Sequence, residues 1–269
     1  MAGELLYTLA EVVYRYPDGQ EALSNVSLKI FGGEKLVLLG ANGSGKSTLL
    51  KILDGLIFPQ EGKVSAFGQD LSAEKFKNPD FNFAFRKRVG FVFQNSDAQL
   101  SNPTVREEIA FGPLQMGLDK TEVRRRVGDI ARLLGLEKIL DRPTFKLSGG
   151  EKKKVAIAAL LAVNPEVYLL DEPTGGLDPR TRRWVVNLFK QLNSAGKTIV
   201  TATHDLDIIG ELAGRVLVLD ENHRLAAEGT PSEILGDREL LLRVNLIDAG
   251  FHRHRHEDGH SHYHFHAFT

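Results

Sequence analysis

The chain has 269 residues, with 34 lysines and arginines against 35 aspartates and glutamates, nine histidines and no cysteine. Its 42% hydrophobic and 26% charged residues exclude wholesale disorder, and a net charge of −1 excludes a general polyanion or nucleic-acid binder. The missing thiols exclude disulfides, thiolate catalysis, cysteine-type zinc sites and iron–sulfur clusters.

In chain order, residues 5–13 and 23–30 mix apolar and polar residues in short runs broken by Pro17-Asp18-Gly19, which predicts strand, turn and strand. Lys35 to Leu39 predicts a short buried strand that runs into the glycine-rich stretch Gly40 to Gly45, and Thr48 to Leu53 opens a helix. Further buried strands are expected at Val89 to Phe93, Val167 to Leu170, Thr198 to Thr201 and Val216 to Leu219, and helices at 121–134, 151–163, 179–193 and 206–213. Strands alternating with helices of this length imply an α/β core built on a mainly parallel sheet. Residues 95–165 are long, helix-rich and without a clear strand, which predicts an inserted α-helical subdomain. Met1 to Tyr7 lacks the basic-then-apolar order of a secretory leader, and none is expected. The longest apolar run, Val155 to Val163, is nine residues, about half of the ~20 that cross a bilayer.

Gly40-Ala41-Asn42-Gly43-Ser44-Gly45-Lys46-Ser47 fits the phosphate-binding pattern G-x-x-x-x-G-K-[ST]. Its glycines let successive backbone N–H groups turn toward phosphate oxygens, and the helix that follows adds its positive end. Lys46 supplies a point charge for the β- and γ-phosphates, and the Ser47 hydroxyl a ligand for Mg²⁺. Downstream, Val167 to Leu170 ends in Asp171 and Glu172. The first acid is placed to hold Mg²⁺ through water, the second to orient or deprotonate an attacking water. Alone, such a pair is more often a solvated loop; beside a phosphate loop, ATP and Mg²⁺ are the economical reading.

Leu147-Ser148-Gly149-Gly150-Glu151 reads physically as a capped helix start, Ser148 being the cap and the two glycines leaving N–H groups open to an anion. With Gln94 upstream and His204 downstream, it resembles the signature motif of ABC-type ATPases. The resemblance covers about residues 4–240 as one nucleotide-binding domain, leaving 241–269 as a C-terminal extension. It implies a P-loop NTPase core with an antiparallel β subdomain beside the helical insertion at about 95–165. It further implies that Tyr16 stacks on adenine, with Tyr14 the competing choice, and that Asn42 to Thr48 cradle the phosphates. Gln94 matches the glutamine on Mg²⁺ and the attacking water, His204 the histidine on the γ-phosphate, and Asp178 the acid that couples two sites. In that family two copies face head to tail, so Ser148, Gly149 and Gly150 serve the partner's ATP. The partner is an identical chain or a paralogue.

Two departures stand out. Lys152-Lys153-Lys154 replaces a common glutamine and arginine, which forfeits a bidentate contact at 154. Gly176 stands where serine or alanine is common and is expected to loosen its loop slightly.

One domain, no sustained heptads and no span point to a separate ATPase subunit at the cytoplasmic face of a membrane transporter. Gln94-Asn-Ser-Asp-Ala-Gln-Leu followed by Pro103-Thr-Val-Arg-Glu-Glu-Ile-Ala-Phe-Gly-Pro resembles the energy-coupling-factor importers. The resemblance implies a transmembrane coupling subunit docking on about 95–116 and a substrate-specific membrane subunit. The competing readings are a vitamin importer, an unrelated ABC importer or exporter, and a metal storage or delivery protein.

The extension carries His252, His254, His256, His260, His262, His264 and His266, at every second position within each cluster. In an extended segment this places imidazoles on one face, a ligand set for a borderline ion such as Ni²⁺, Co²⁺, Zn²⁺ or Cu²⁺. A purification tag and an incidental polar tail remain the alternatives. Within the coupling-factor group the histidines favour cobalt or nickel as cargo.

Overall fold

The computed structural model describes residues 3–248 in full and the backbone of residues 251–255 and 261–265. The predicted hairpin forms from β1 (Leu5–Arg15) and β2 (Glu21–Phe31), turning at Pro17-Asp18-Gly19. β3 (Lys35–Leu39) leads through the glycine-rich loop into α1 (Lys46–Leu53). Then follow β4 (Glu61–Ala66), β5 (Gln69–Asp70), α2 (Ala73–Phe76), α3 (Pro79–Arg88) and β6 (Val89–Val92). The insertion contributes α4 (Val105–Gln115), α5 (Lys120–Leu134) and α6 (Gly149–Val163), with no strand among residues 95–165. The chain continues through β7 (Val167–Asp171), α7 (Pro179–Ser194), β8 (Thr198–Thr203), α8 (Ile209–Leu212), β9 (Arg215–Leu219) and β10 (Leu225–Gly229), and closes its core with α9 (Pro231–Gly236) and α10 (Arg238–Arg243).

One sheet has the order β10-β9-β3-β8-β7-β6 and is parallel except for β10, which runs antiparallel to β9 at one edge. A second, antiparallel sheet has the order β2-β1-β4-β5. Parallel strands covered on both faces read as unbroken apolar runs, which is why Lys35 to Leu39 and Val216 to Leu219 stood out. Alternate residues leave to opposite sides: Leu36, Leu38, Leu217 and Leu219 pack with α1 and the antiparallel sheet. Val37, Leu39, Val216 and Val218 pack with the helices of the insertion and α7.

The elements absent from the sequence reading lack strong periodicity. β4 is Glu-Gly-Lys-Val-Ser-Ala and offers only Val64 and Ala66 to the core; α4 contains Gly112 and Pro113, yet a full Thr104–Glu107 capping box starts it. The domain boundary expected at 240 falls inside α10, whose Leu240 and Leu241, with Val244 and Ile247 beyond it, complete the core. Among the described residues no helix is long and apolar enough to cross a membrane. The extension carries two short strands, β11 (Phe251–Arg255) and β12 (Ser261–Phe265), paired antiparallel with His252 opposite His264 and His254 opposite His262.

The end of α1 is tied to α3. Asp54, the C-terminal cap of α1, is buried, and Arg86 donates to its carboxylate at 2.8 Å and its carbonyl at 2.7 Å. Burial pushes the Asp54 carboxyl up to about 7, against the opposing pull of the Arg86 guanidinium. An acid whose folded pKa lies above its unfolded value of about 4 contributes stability at low pH that is lost as the pH rises through the folded pKa. The melting temperature of the native chain minus that of Asp54→Asn should therefore fall from about pH 5 to about pH 8. A constant difference across that interval would mean that the carboxyl is already ionised at its lower end.

Candidate active site

β3, β8, β7 and β6 are parallel neighbours, so the loops that leave their C-terminal ends emerge side by side. The register pairs Leu39 with Thr203 and Asp171 with Ala202. The glycine-rich loop, His204, the Asp171-Glu172 pair and Gln94 therefore share one edge, the usual place for ligands in such sheets.

A cavity of about 360 Å³ opens there. Tyr16, Asn42, Gly43, Gly45, Lys46, Ser47, Thr48, Gln94, Asp171 and Glu172 line it, joined by Gln20, Glu21, Ala22 and His223. Tyr16 reaches Thr48 across it, hydroxyl to hydroxyl at 2.9 Å, whereas Tyr14 is buried and meets the Tyr16 ring edge-on at 5.2 Å. The loop owes its shape to Gly43 and Gly45, at φ of 85° and 102°. A Cβ on Gly45 would lie 2.2 Å from the Ala22 carbonyl oxygen, so β2 presses directly on the loop. Ser44 is buried beneath it with its hydroxyl unpartnered.

Lys46 is buried and donates at 2.8 Å to both the Gly40 and Ala41 carbonyls. Burial pulls its pKa down, while Glu172 and Asp171 push it up. Ser47 donates to Asp171 at 3.0 Å, and burial raises the Asp171 carboxyl against that hydrogen bond. Ser47, Asp171 and Gln94 thus bring hydroxyl, carboxylate and amide groups to one cavity, a hard-oxygen set suited to Mg²⁺. With the loop's N–H groups, the residues present fit a Mg²⁺-bound nucleoside triphosphate.

Glu172 is buried with a left-handed φ of 44°, rare for a residue with a side chain and costing about 1–3 kcal/mol. The surroundings hold it there: its N–H donates to the Ala202 carbonyl at 3.0 Å. Its carboxylate accepts from Thr203 Oγ1 at 3.0 Å, His204 N at 3.0 Å and His204 Nδ1 at 2.7 Å. His204 lines an adjoining cavity of about 410 Å³, which shares Glu172 with the first.

Ser148, Gly149, Gly150 and Asp178 do not line the first cavity. Ser148 caps α6 in a reciprocal box with Glu151, and Asp178 caps α7 by accepting from the N–H groups of Arg180 and Thr181 at 3.0 Å. Hydrogen bonds from Thr181 hold the Asp178 carboxyl below its usual range. Gly176 has a φ of 70°, so a glycine there has a conformational reason beyond the loosening expected from the sequence.

Sequence reasoning did not single out Gln20, Glu21, Ala22 or His223. The first three lead into β2 directly after the hairpin turn, and His223 arrives through a tertiary bond: the Ser24 N–H donates to its carbonyl at 2.9 Å, which brings the β9–β10 turn against β2. Of the tail histidines, His256, His260 and His266 lie outside the described residues, as do the side chains of His252, His254, His262 and His264. Among the described residues no group of three or more potential metal ligands forms.

The profile of the ABC transporter family matches residues 23–175. An energy-coupling factor transporter ATP-binding protein of Methanothermobacter thermautotrophicus is 44% identical over 238 residues, covering 88% of this chain and 75% of that one. A nickel import ATP-binding protein of Rhodobacter capsulatus is 44% identical over 244 residues, covering 90% and 95%. Among solved structures, CbiO1 of Clostridium perfringens, part of the ABC transporter complex CbiONQ, superposes with a TM-score of 0.75 at 35% identity, covering 90% and 95%. A dimeric ATP-binding cassette in a post-hydrolysis state with ADP and Pi gives 0.77 at 31% identity, covering 84% and 99%.

The contact between Gly45 and Ala22 has a direct consequence. Gly45→Ala should lose about 1–3 kcal/mol of stability through backbone strain and the clash with the Ala22 carbonyl. Denaturant unfolding measures it, and an unchanged midpoint would mean that the loop relaxes away from β2.

Proposed function

Because the chain belongs to the ABC transporter family and is an ATP-hydrolysing cassette of it, we propose that it powers uptake through an energy-coupling-factor importer of cobalt or nickel. The observation that carries the catalytic half of this reading is the convergence of Lys46, Ser47, Gln94, Asp171 and Glu172 on one cavity.

In this reading Tyr16 stacks on the adenine. The N–H groups of Asn42, Gly43, Ser44, Gly45, Lys46, Ser47 and Thr48 cradle the phosphates. Lys46 exchanges its two carbonyl partners for phosphate oxygens, a donor already desolvated and aimed into the loop. Ser47, Gln94 and Asp171 would hold Mg²⁺, which supplies neutralisation of charge on the phosphates. Glu172 orients a water for in-line attack and accepts its proton as the new O–P bond forms and the bond to ADP breaks. The hydrogen bonds from Thr203 and His204 fix the carboxylate for that role, and the His204 ring beside Glu172 would contact the γ-phosphate. Ser148, Gly149, Gly150 and Asp178 act across a dimer. Their absence from the lining of this chain's own cavity supports that division, as does the dimeric cassette among the structural relatives.

The transport half rests on the relatives. The nickel import protein and CbiO1, which is part of a larger complex, support a cytoplasmic-face subunit. It would work with a second ATPase subunit, a transmembrane coupling subunit on about 95–116 and a substrate-specific membrane subunit. For the extension, a metal-binding role is favoured by one observation: its backbone register sets two histidine pairs opposite one another on a two-stranded ribbon.

Glu172→Gln should bind ATP nearly as the native chain does and lose steady hydrolysis by at least about a hundredfold; unchanged turnover would remove Glu172 from its role. Lys46→Ala should weaken nucleotide binding itself, as titration calorimetry with ATP would read. Truncation after Gly250 should abolish Ni²⁺ or Co²⁺ binding and leave ATP hydrolysis intact. Retained metal binding would exclude the histidine ribbon as the ligand.

A further inference from the structure

The three lysines that follow the signature have separate partners. Lys152 forms an ion pair with Asp97, in the turn just after Gln94. Lys153 is buried, and its Nζ donates to the carbonyls of Phe93 at 3.2 Å and Gln94 at 3.0 Å. The Lys154 ammonium lies over the Trp184 ring of α7, 5.3 Å from its centroid. One turn of α6 thus grips the Gln94 segment on one side and the helix capped by Asp178 on the other.

Lys153 is the unusual member. An ammonium buried without a carboxylate in contact is costly, and carbonyl groups recover only part of that cost. Its two acceptors are the peptide oxygens on either side of the Gln94 Cα. The same loop is splinted from within by Gln99, which accepts from Phe93 N at 3.0 Å and donates to the Phe91 carbonyl at 3.1 Å. The peptides flanking the Gln94 Cα are therefore both held at their carbonyls by α6, while Gln94 itself lines the cavity. Ser148, the cap of α6, is five residues before Lys153 on the same rigid helix.

We propose that Lys153 is a positioning residue for hydrolysis: its ammonium clamps the Gln94 peptide so that the side chain is presented to the cavity, and it ties that placement to the helix bearing Ser148. This rests on the reading that the cavity hydrolyses ATP. Lys153 is not among the residues lining the cavity and acts only through Gln94. Lys152 reinforces the same joint from outside.

A double-mutant cycle on hydrolysis by the purified chain tests it. Lys153→Met should lower kcat about tenfold and leave the KM for ATP within about twofold. In a Gln94→Ala background the same change should cost nothing further, because the residue being positioned is gone. Lys153→Gln keeps N–H donors for the two carbonyls and should recover most of the lost turnover; it also serves if the Met variant does not fold. Losses that multiply in the double variant, or a raised KM at unchanged kcat, would overturn the proposal. Native-like hydrolysis by Glu172→Gln would instead overturn the reading of the cavity, and this inference with it.

Discussion

The parallel pairing of β3, β8, β7 and β6 is the constraint on which the rest depends. Each strand carries one chemical group at its C-terminal end, and only parallel neighbours deliver four such ends to one edge. A one-residue slip between β7 and β8 would turn the side chains of the slipped strand to the opposite face of the sheet. It would also remove the Ala202 carbonyl from the Glu172 N–H and with it the support for a left-handed glutamate. The sheet's register is therefore also the register of the site.

Around that edge the protein concentrates features that would otherwise be destabilising. Lys46, Lys153, Asp171 and Glu172 are all buried ionisable groups, and Glu172 adds backbone strain. Each is offset locally. Lys46 and Lys153 spend their donors on loop carbonyls, Asp171 accepts from Ser47, and Glu172 accepts three hydrogen bonds from Thr203 and His204. The two lysines also lie within the field of the two acids, which pushes their pKa values back up against burial. A cluster of this kind is poised for a polyanionic ligand, because phosphate oxygens can replace carbonyls as partners without new desolvation.

The helical insertion is coupled to the core through the same side chains that depart from the usual signature. A run of three lysines on one helical turn projects in three directions, about 100° apart. It therefore reaches Asp97, the Phe93 and Gln94 carbonyls, and Trp184 at once. The lysine at 154, which forfeits the bidentate geometry of arginine, keeps a cation over an aromatic face instead.

The core strands of the parallel sheet, the main helices and the two motifs that meet at the cavity were legible from residue order alone. Buried parallel strands, amphipathic helices and glycine-dependent loops are all encoded in local periodicity and residue type. Tyr14 and Tyr16 stayed competitors, β4, β5, β10, α2 to α4, α9 and α10 carried no clear local signal, and nothing local pointed to His223 or to the partners of Lys153. Those features are relational. Tyr16 is set apart from Tyr14 by its hydroxyl meeting Thr48 while Tyr14 is buried, and β10 exists because β9 offers it an edge. Lys153 matters only because a helix from a distant segment packs against the Gln94 loop. Local chemistry chose the groups; which groups face one another was decided by strand order and helix packing, where the interacting residues are separated by many tens of positions along the chain.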